Sequence, residues 1–245
     1  MPKSLHAAAS APDNELGRLP FFQGASPAAL AHAASAAAWL SIEANQLVFD
    51  YGDDSTDVFF VVQGALRVLV RTALGQEMIL GDLSRGELFG DVAAVDNAKR
   101  SASVMTLLRT RLCRLPARTF LDVALHDPTL ALRLLRTLTA RLRREDERLF
   151  ELTALPVRER LGAELLRLSK PRGRDGRIIT PPPPQHVIAA RIGARRESVS
   201  LSLRSLAEEK LIEVSPRAIR VPRPEALRAA IDKRLQGASA SQLRS

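Results

Sequence analysis

Residues 188–206 read IAARIGARRESVSLSLRSL, a spacing that predicts a helix, a tight turn and a second helix. Ile188 and Ile192 are four residues apart, as on one face of a short helix. Gly193 can adopt the left-handed conformation that ends such a helix. A second helix is expected from about residue 196, with a buried stripe of Val199, Leu203 and Leu206. Two helices around a glycine turn are typical of a helix-turn-helix; the alternative is a purely structural helical hairpin.

The second helix begins with side chains that can read base edges. Arg can donate two hydrogen bonds to guanine, and Glu can accept one from cytosine. Residues 211–214 and 218–221 are expected to form the two strands of a wing beside it. The predicted DNA contacts are Arg195, Arg196, Glu197, Ser198, Ser200, Arg204 and Arg217.

The positive charge lies in the C-terminal third. Residues 156–245 hold 19 Lys and Arg against 9 Asp and Glu, whereas residues 1–155 hold 17 against 18. A basic segment of this kind can bind nucleic acid. The alternatives are that it binds an anionic membrane or that it only keeps the protein soluble. No apolar run reaches the ~20 residues that span a bilayer, and no secretory signal is evident. We therefore expect a cytoplasmic protein that binds DNA and no membrane.

Residues 42–115 have the character of short antiparallel strands. Residues 58–62 are β-branched or aromatic, and Gly and Asp turns recur every 8–12 residues. This pattern predicts an antiparallel sandwich or roll. Residues 16–40 are expected to form short helices, one of them capped by Ser26, and residues 1–14 are expected to be disordered.

A long helix is predicted after Pro128. Its leucines repeat at intervals of seven, which indicates either a two-stranded dimer seam or a helix packed on its own domain; we favour the dimer. The seam positions are Leu135, Leu138, Leu142, Leu149 and Leu152, with Glu145 as a polar break. Further along, we expect a helix over 157–169, a loop over 171–176, a stiff spacer over 181–184, an added helix over 224–235, and a flexible tail in the last ten residues.

A second motif lies in the strand region, where residues 86–94 read GELFGDVAA and residues 100–104 read RSASV. Small residues let the backbone approach a ligand, and an Arg offers two donors to a phosphate. An ordinary corner of a roll is the alternative.

Residues 58–104 resemble the cyclic-nucleotide-binding fold of the cyclic AMP receptor protein and fumarate–nitrate regulator family. Residues 128–168 resemble that family's dimer helix and hinge, and residues 196–200 resemble its recognition helix. The resemblance implies an α+β fold: an N-terminal antiparallel β-roll (residues 15–126), a long dimerisation helix (127–155), a C-terminal winged helix-turn-helix (156–224) and an extension (225–245). It also implies a homodimer on near-palindromic double-stranded DNA, with cyclic AMP or cyclic GMP as effector and RNA polymerase as a further possible partner.

Carried over residue by residue, the resemblance places Arg100 on the cyclic phosphate, Asp91 near the ribose and Arg141 near the purine. The full set of implied ligand contacts is Gly90, Asp91, Val92, Ala93, Arg100, Ser101, Arg141, Glu145 and Asp146.

Four positions depart from the family. Asp91 stands where nucleotide-binding members usually carry Glu. Glu145 and Asp146 stand where the family has hydroxyl residues that meet the adenine. They either face water or accept hydrogen bonds from guanine or from the adenine amino group, and in the second case we expect cyclic GMP to be read at least as well as cyclic AMP. Leu201 replaces a recognition-helix Arg, so the operator is expected to differ from the family's usual half-site.

The sequence lacks the residues that several classes of functional site require. Cys113 is the only cysteine and the four histidines are scattered, so we expect no metal, haem or iron–sulfur cluster. The sequence shows no pair of a nucleophile and a base and no phosphate-binding loop with a Lys, so it gives no indication of an enzyme. A regulator with a vestigial nucleotide pocket and a module that docks on a partner enzyme are the remaining alternatives.

Overall fold

The computed structural model describes residues 15–72, 75–174 and 176–242, with 234–242 as backbone only. The chain divides into two compact units, the first ending at Arg141 and the second beginning at Leu142. Among the described residues, no helix has the length and apolar character needed to cross a membrane.

The first unit is built on two four-stranded antiparallel sheets. Their strands are β1 (Ala38–Ile42), β2 (Leu47–Phe49), β3 (Val58–Gln63), β4 (Ala65–Arg71), β5 (Glu77–Ser84), β6 (Leu88–Phe89), β7 (Ser103–Thr106) and β8 (Thr110–Leu115). One sheet has the order β1-β8-β3-β6 and the other β2-β7-β4-β5. Consecutive strands therefore alternate repeatedly between sheets, and the predicted antiparallel roll is confirmed.

Strand β3 is buried on both faces, which explains its unbroken apolar run. Phe60 packs into one core with Phe21, Phe22 and Phe120. Phe59, its neighbour in sequence, points to the opposite face and packs into a second core with Phe49 and Phe89. The second of these cores lies beside the predicted phosphate-binding arginine, whose guanidinium contacts the rings of Phe49 and Phe59.

Helices cover the first core. They are α1 (Pro27–Ala36), α2 (Asp91–Asp96), α3 (Ala117–His126) and the first part of α4 (Pro128–Ala154), preceded by short 3-10 turns at Leu16–Arg18 and Pro20–Phe22. Ser26 caps α1, as predicted, because its Oγ accepts from the Ala29 N–H at 3.2 Å. Asp127 caps α4 by accepting from the N–H groups of Thr129 and Leu130.

The second unit is a winged helix-turn-helix. After the end of α4 come α5 (Val157–Leu168), β9 (Lys170–Arg172), β10 (Gly176–Ile179), α6 (Gln185–Ile192), α7 (Arg196–Glu208), β11 (Glu213–Ser215), β12 (Ala218–Val221) and α8 (Pro224–Gln242). The strands form an antiparallel sheet of order β11-β12-β10-β9. The predicted wing strands are therefore paired with each other.

Three local predictions in this unit differ from the structure. The expected loop over 171–176 is the turn of a β9–β10 hairpin; β9 is exposed throughout and shows no apolar alternation, so its sequence carried no strand signal. The added helix is longer than expected, since α8 continues to Gln242. The expected tail is helical up to that residue, where Ala238 and Ala240 favour helix; residues 243–245 and 1–14 lie outside the described range.

Some leucines of α4 are exposed to solvent, and others pack against the rest of the chain. Leu135, Leu142 and Leu149 are exposed by 61–62 %. Leu138 instead packs on the first core of its own unit, and Leu152 is half-buried against Gly193. The predicted seam is thus reduced to the stripe of Leu135, Leu142 and Leu149, because the other two leucines are used within the chain.

Candidate nucleotide pocket and DNA interface

Arg100 is held inside the first unit although it carries a charge. It is 2 % exposed, and its Cζ lies 4.0 Å from the centre of the Phe49 ring. Its guanidinium donates to Ser55 Oγ at 3.1 Å, to the Gly90 carbonyl at 2.9 Å and to the Asp57 carbonyl at 2.7 Å. An arginine has five N–H donors, so these three bonds leave part of its donor capacity for another acceptor.

The electrostatic balance around Arg100 favours an anion. Burial lowers the pKa of Arg100, while the carboxylates of Asp57, Asp53 and Asp91 act in the opposite direction. None of these carboxylates forms an ion pair with Arg100 among the described residues; the oxygens that accept from its guanidinium, in Ser55, Gly90 and Asp57, are all neutral. A buried cation without a contacting counter-ion is costly, and a bound phosphate would supply one.

Gly90 shapes the loop beside this guanidinium. Its φ is +81°, and a Cβ placed there would lie 2.6 Å from Arg100 Nη1 and 2.7 Å from the Asp57 carbonyl oxygen. Only glycine fits both the backbone conformation and the space.

Asp91 and Arg141 form an ion pair. Asp91 is 1 % exposed, and both of its carboxylate oxygens accept from Arg141 Nη1, at 2.8 and 2.9 Å. Arg141 Nη2 also donates to the Leu88 carbonyl. The pair joins the start of α2 to α4 within the first unit. Two residues predicted to meet different parts of a nucleotide are therefore in contact with each other.

The other predicted ligand residues have varied surroundings. Ala93 is buried, whereas Val92 and Ser101 are exposed. Glu145 and Asp146 are exposed on α4, in the second unit. The residues that sequence reasoning missed are those that hold Arg100: Phe49, Ser55 and Asp57. They are more than 40 positions away in sequence, and no local pattern marks them.

The helix-turn-helix has the predicted geometry. Gly193 ends α6 with φ 58° and ψ 47°, and α7 begins at Arg196. Val199, Leu203 and Leu206 are at most 6 % exposed and form the inner face of α7.

The predicted DNA contacts lie on the outside of this motif. Arg195, Arg196, Glu197 and Arg204 are exposed, and Ser198 and Ser200 are half-buried. Arg217 is exposed in the turn between the wing strands β11 and β12. The recognition helix and the wing thus both offer guanidinium groups to solvent.

Two family models match the chain in this order. A cyclic nucleotide-binding domain matches residues 39–127, and a Crp-like helix-turn-helix domain matches residues 159–230. The cyclic AMP receptor protein of Thermus thermophilus is 35 % identical over 71 % of this chain and 79 % of its own length. The chain belongs to the cyclic AMP receptor protein and fumarate–nitrate regulator (Crp/Fnr) family.

A second relative and a solved structure agree with this assignment. A CRP-like cAMP-activated global transcriptional regulator of Mycobacterium tuberculosis is 26 % identical over 88 % of this chain and 97 % of that protein. The solved structure of a CooA mutant from Carboxydothermus hydrogenoformans shares the fold with a TM-score of 0.72 at 16 % identity, covering 92 % of this chain and 98 % of that one. The chain is therefore a Crp/Fnr transcriptional regulator with a cyclic nucleotide-binding domain, and these relatives are regulators rather than enzymes.

A partly buried ionic cluster in this Crp/Fnr regulator was not predicted. Arg167 binds Glu151 at 2.7 Å and Glu164 at 3.1 Å. Arg191 binds Glu164 at 3.3 Å, and Arg148 donates to the Arg191 carbonyl. Burial raises the pKa of Glu151, although Arg167 opposes it. The cluster ties the end of α4 to α5 and to α6, the first helix of the helix-turn-helix.

Within the ranges 15–72, 75–174 and 176–242, no three His, Cys, Asp or Glu side chains are grouped to hold an ion. Cys113 is buried in β8, and burial raises the pKa of its thiol to about 12, so it stays protonated at neutral pH.

Proposed function

We propose that this regulator is a homodimer that binds a near-palindromic DNA site and is switched by a 3′,5′-cyclic nucleotide held at Arg100. The observation that carries the proposal is the buried guanidinium of Arg100, which has unused donor capacity and no contact with a carboxylate from the described part of the chain. A cyclic phosphate diester supplies one negative charge and acceptor oxygens, which match these needs.

The neighbouring residues fit the same ligand. Gly90 leaves room for a backbone approach, and Asp91 presents a carboxylate that can accept from a ribose hydroxyl. In the described structure that carboxylate is paired with Arg141. A ligand that takes the Asp91 carboxylate would release Arg141, which lies on the helix that leads into the DNA-binding unit. Such a ligand acts allosterically if it stabilises one DNA-binding arrangement over the others.

The exposed stripe of Leu135, Leu142 and Leu149 supports the homodimer. Three leucines at intervals of seven on one helix are typical of a two-stranded seam, and their exposure leaves them available to a second copy. A twofold dimer presents two recognition helices to two half-sites about one helical turn apart.

Glu145 and Asp146 determine the choice of nucleotide in this proposal. Both carboxylates are exposed on α4, one turn beyond Arg141. Carboxylates accept from guanine N1–H and N2–H, so we expect cyclic GMP to bind at least as well as cyclic AMP. Alanine at both positions should then abolish any preference for cyclic GMP; a preference that persists would refute their role.

Calorimetric titration of nucleotide-free protein with cyclic AMP and cyclic GMP tests the proposal. Binding of either should be lost in Arg100→Gln, which keeps a polar side chain but removes the charge and the guanidinium donors. Arg109→Ala is the control, because Arg109 is exposed in the same unit. Circular dichroism of both variants reports whether they fold. Absence of binding by the wild-type protein would overturn the nucleotide switch.

A second candidate is a regulator that needs no nucleotide. This candidate is favoured because the main ligand residues already have partners within the chain: Arg100 makes three hydrogen bonds, and Asp91 is paired with Arg141. In that case Arg100→Gln should leave DNA affinity unchanged with and without nucleotide.

A further inference from the structure

The outward face of α7 contains one large apolar side chain. Glu197, Leu201, Arg204 and Glu208 are all exposed, and their spacing of four, three and four places them on one face of the helix. Leu201 is 65 % exposed, whereas the opposite face of α7 supplies the buried Val199, Leu203 and Leu206. Leu201 therefore contributes nothing to the core of its unit.

The position of Leu201 gives it a specific environment in a DNA complex. It lies one turn after Glu197 and one turn before Arg204, at the centre of the polar face. A single exposed leucine is common on protein surfaces, but this one occupies the middle of the surface that a recognition helix presents to the major groove.

The major groove offers a leucine only one apolar partner. Guanine, adenine and cytosine present hydrogen-bonding groups there, whereas thymine adds a C5 methyl group. The leucine side chain has no hydrogen-bond donor or acceptor. Against any base edge other than the thymine methyl group, it would exclude water without replacing the hydrogen bonds that the base loses. Contact with the thymine methyl buries apolar surface on both sides.

We infer that Leu201 is a specificity-determining residue that reads the methyl group of a thymine in each half-site. The inference rests on the proposed function as a DNA-binding regulator. Four residues of helix advance about 6 Å, and base pairs of DNA are stacked about 3.4 Å apart. The thymine is therefore expected within about two base pairs of the base that Glu197 contacts.

Selection from a random DNA library locates this thymine. The full-length protein is used, in parallel without nucleotide and with cyclic AMP or cyclic GMP. Selection with wild-type protein should recover half-sites that contain a thymine at a fixed position. Selection with Leu201→Ala should recover half-sites in which the base at that position is variable. Leu125→Ala is the matched control, because Leu125 is 64 % exposed on α3, outside the DNA-binding unit; it should recover the wild-type sequence.

Deoxyuridine then tests the methyl group alone. Replacing the thymine by deoxyuridine removes only the methyl, and wild-type affinity should fall roughly three- to tenfold, the loss expected when the burial of about one methyl group is removed. Leu201→Ala should bind both duplexes equally. Because the side chain is exposed, this variant is expected to fold normally.

The outcomes separate this inference from the proposed function. A defined half-site whose affinity does not depend on any thymine methyl, or whose methyl dependence persists in Leu201→Ala, overturns the role of Leu201 and leaves DNA recognition intact. Recovery of no preferred sequence under any of the three nucleotide conditions overturns both.

Discussion

Gly90 illustrates how a single residue can determine the shape of the pocket. Its φ of +81° alone would cost a side chain about 1–2 kcal/mol. A Cβ would also collide with the Arg100 guanidinium and with the Asp57 carbonyl, neither of which can move without breaking the bonds that hold Arg100.

We predict that Gly90→Ala lowers the free energy of unfolding by more than that backbone cost and weakens nucleotide binding. Gly75→Ala is the control, because Gly75 has a φ of +76° but nothing within 4 Å of its Cβ position. Urea unfolding and calorimetric titration measure both effects. Equal losses in the two variants would show that the contacts at Gly90 do not matter.

Asp127 is a second residue with a role that can be measured. Its carboxylate accepts from the Ser26 N–H at 2.8 Å and from two N–H groups at the start of α4. These bonds, that of Ser26 first, hold the pKa of Asp127 below its ordinary value. A carboxyl group whose pKa is lower in the folded state stabilises the fold at neutral pH, and this contribution disappears as pH falls through the folded pKa.

Asp127→Asn should therefore melt at a lower temperature than wild type at pH 7, and the difference should shrink as the pH is lowered toward 3. Thermal melts across this range, followed by circular dichroism, provide the measurement. Asp122→Asn on α3 serves as the control, since Asp122 caps no helix. A difference that stays constant with pH would argue against a charged cap.

Helix α4 is the element that relates the two units in sequence. Its N-terminal part contributes Leu130 and Leu134 to the first core, and its C-terminal part enters the ionic cluster of the second unit. Between these attachments Leu135, Leu142 and Leu149 remain exposed. A helix fixed at both ends in this way can transmit a change at one end only if it has two discrete arrangements.

Leu142→Glu should shift the protein toward monomer, because in the proposed homodimer it places two carboxylates against each other in the middle of the seam. Sedimentation velocity at several protein concentrations measures the shift. Leu125→Glu, an equally exposed leucine on α3, should leave the distribution unchanged. A Leu142→Glu protein that remains dimeric would place the interface elsewhere.

At the scale of the whole molecule, the two units have separate cores and should respond separately to ligand. A ligand that binds only the folded state stabilises it by about 2.7 kcal/mol at a concentration 100 times its Kd. Because Arg100, Asp91 and Arg141 of the proposed nucleotide site all lie in the first unit, the unfolding of that unit should move to higher temperature more than the unfolding of the second.

Differential scanning calorimetry with and without cyclic nucleotide tests this expectation. We expect two transitions, of which one rises by several degrees with ligand, and neither of which moves in Arg100→Gln. A single transition that shifts as a whole would mean that the two units unfold cooperatively.

Much of this architecture followed from local residue chemistry. The helix-turn-helix was predicted from a glycine between two apolar repeats, since helix ends and buried faces depend on neighbours within a few positions. The strands of the roll and the Arg100 motif were located in the same way. The exposed β9 was missed because its pairing with β10, rather than its own composition, makes it a strand.

Contacts between distant residues depended on the fold. Asp91 and Arg141 are 50 positions apart, and their ion pair arises because α4 passes the start of α2. The division of the α4 leucines was also set by packing, since Leu138 and Leu142 are chemically identical and only the surrounding core distinguishes them. Sequence periodicity specifies which side chains share a face, but the neighbouring elements determine which of those side chains are buried, because burial depends on what packs against that face.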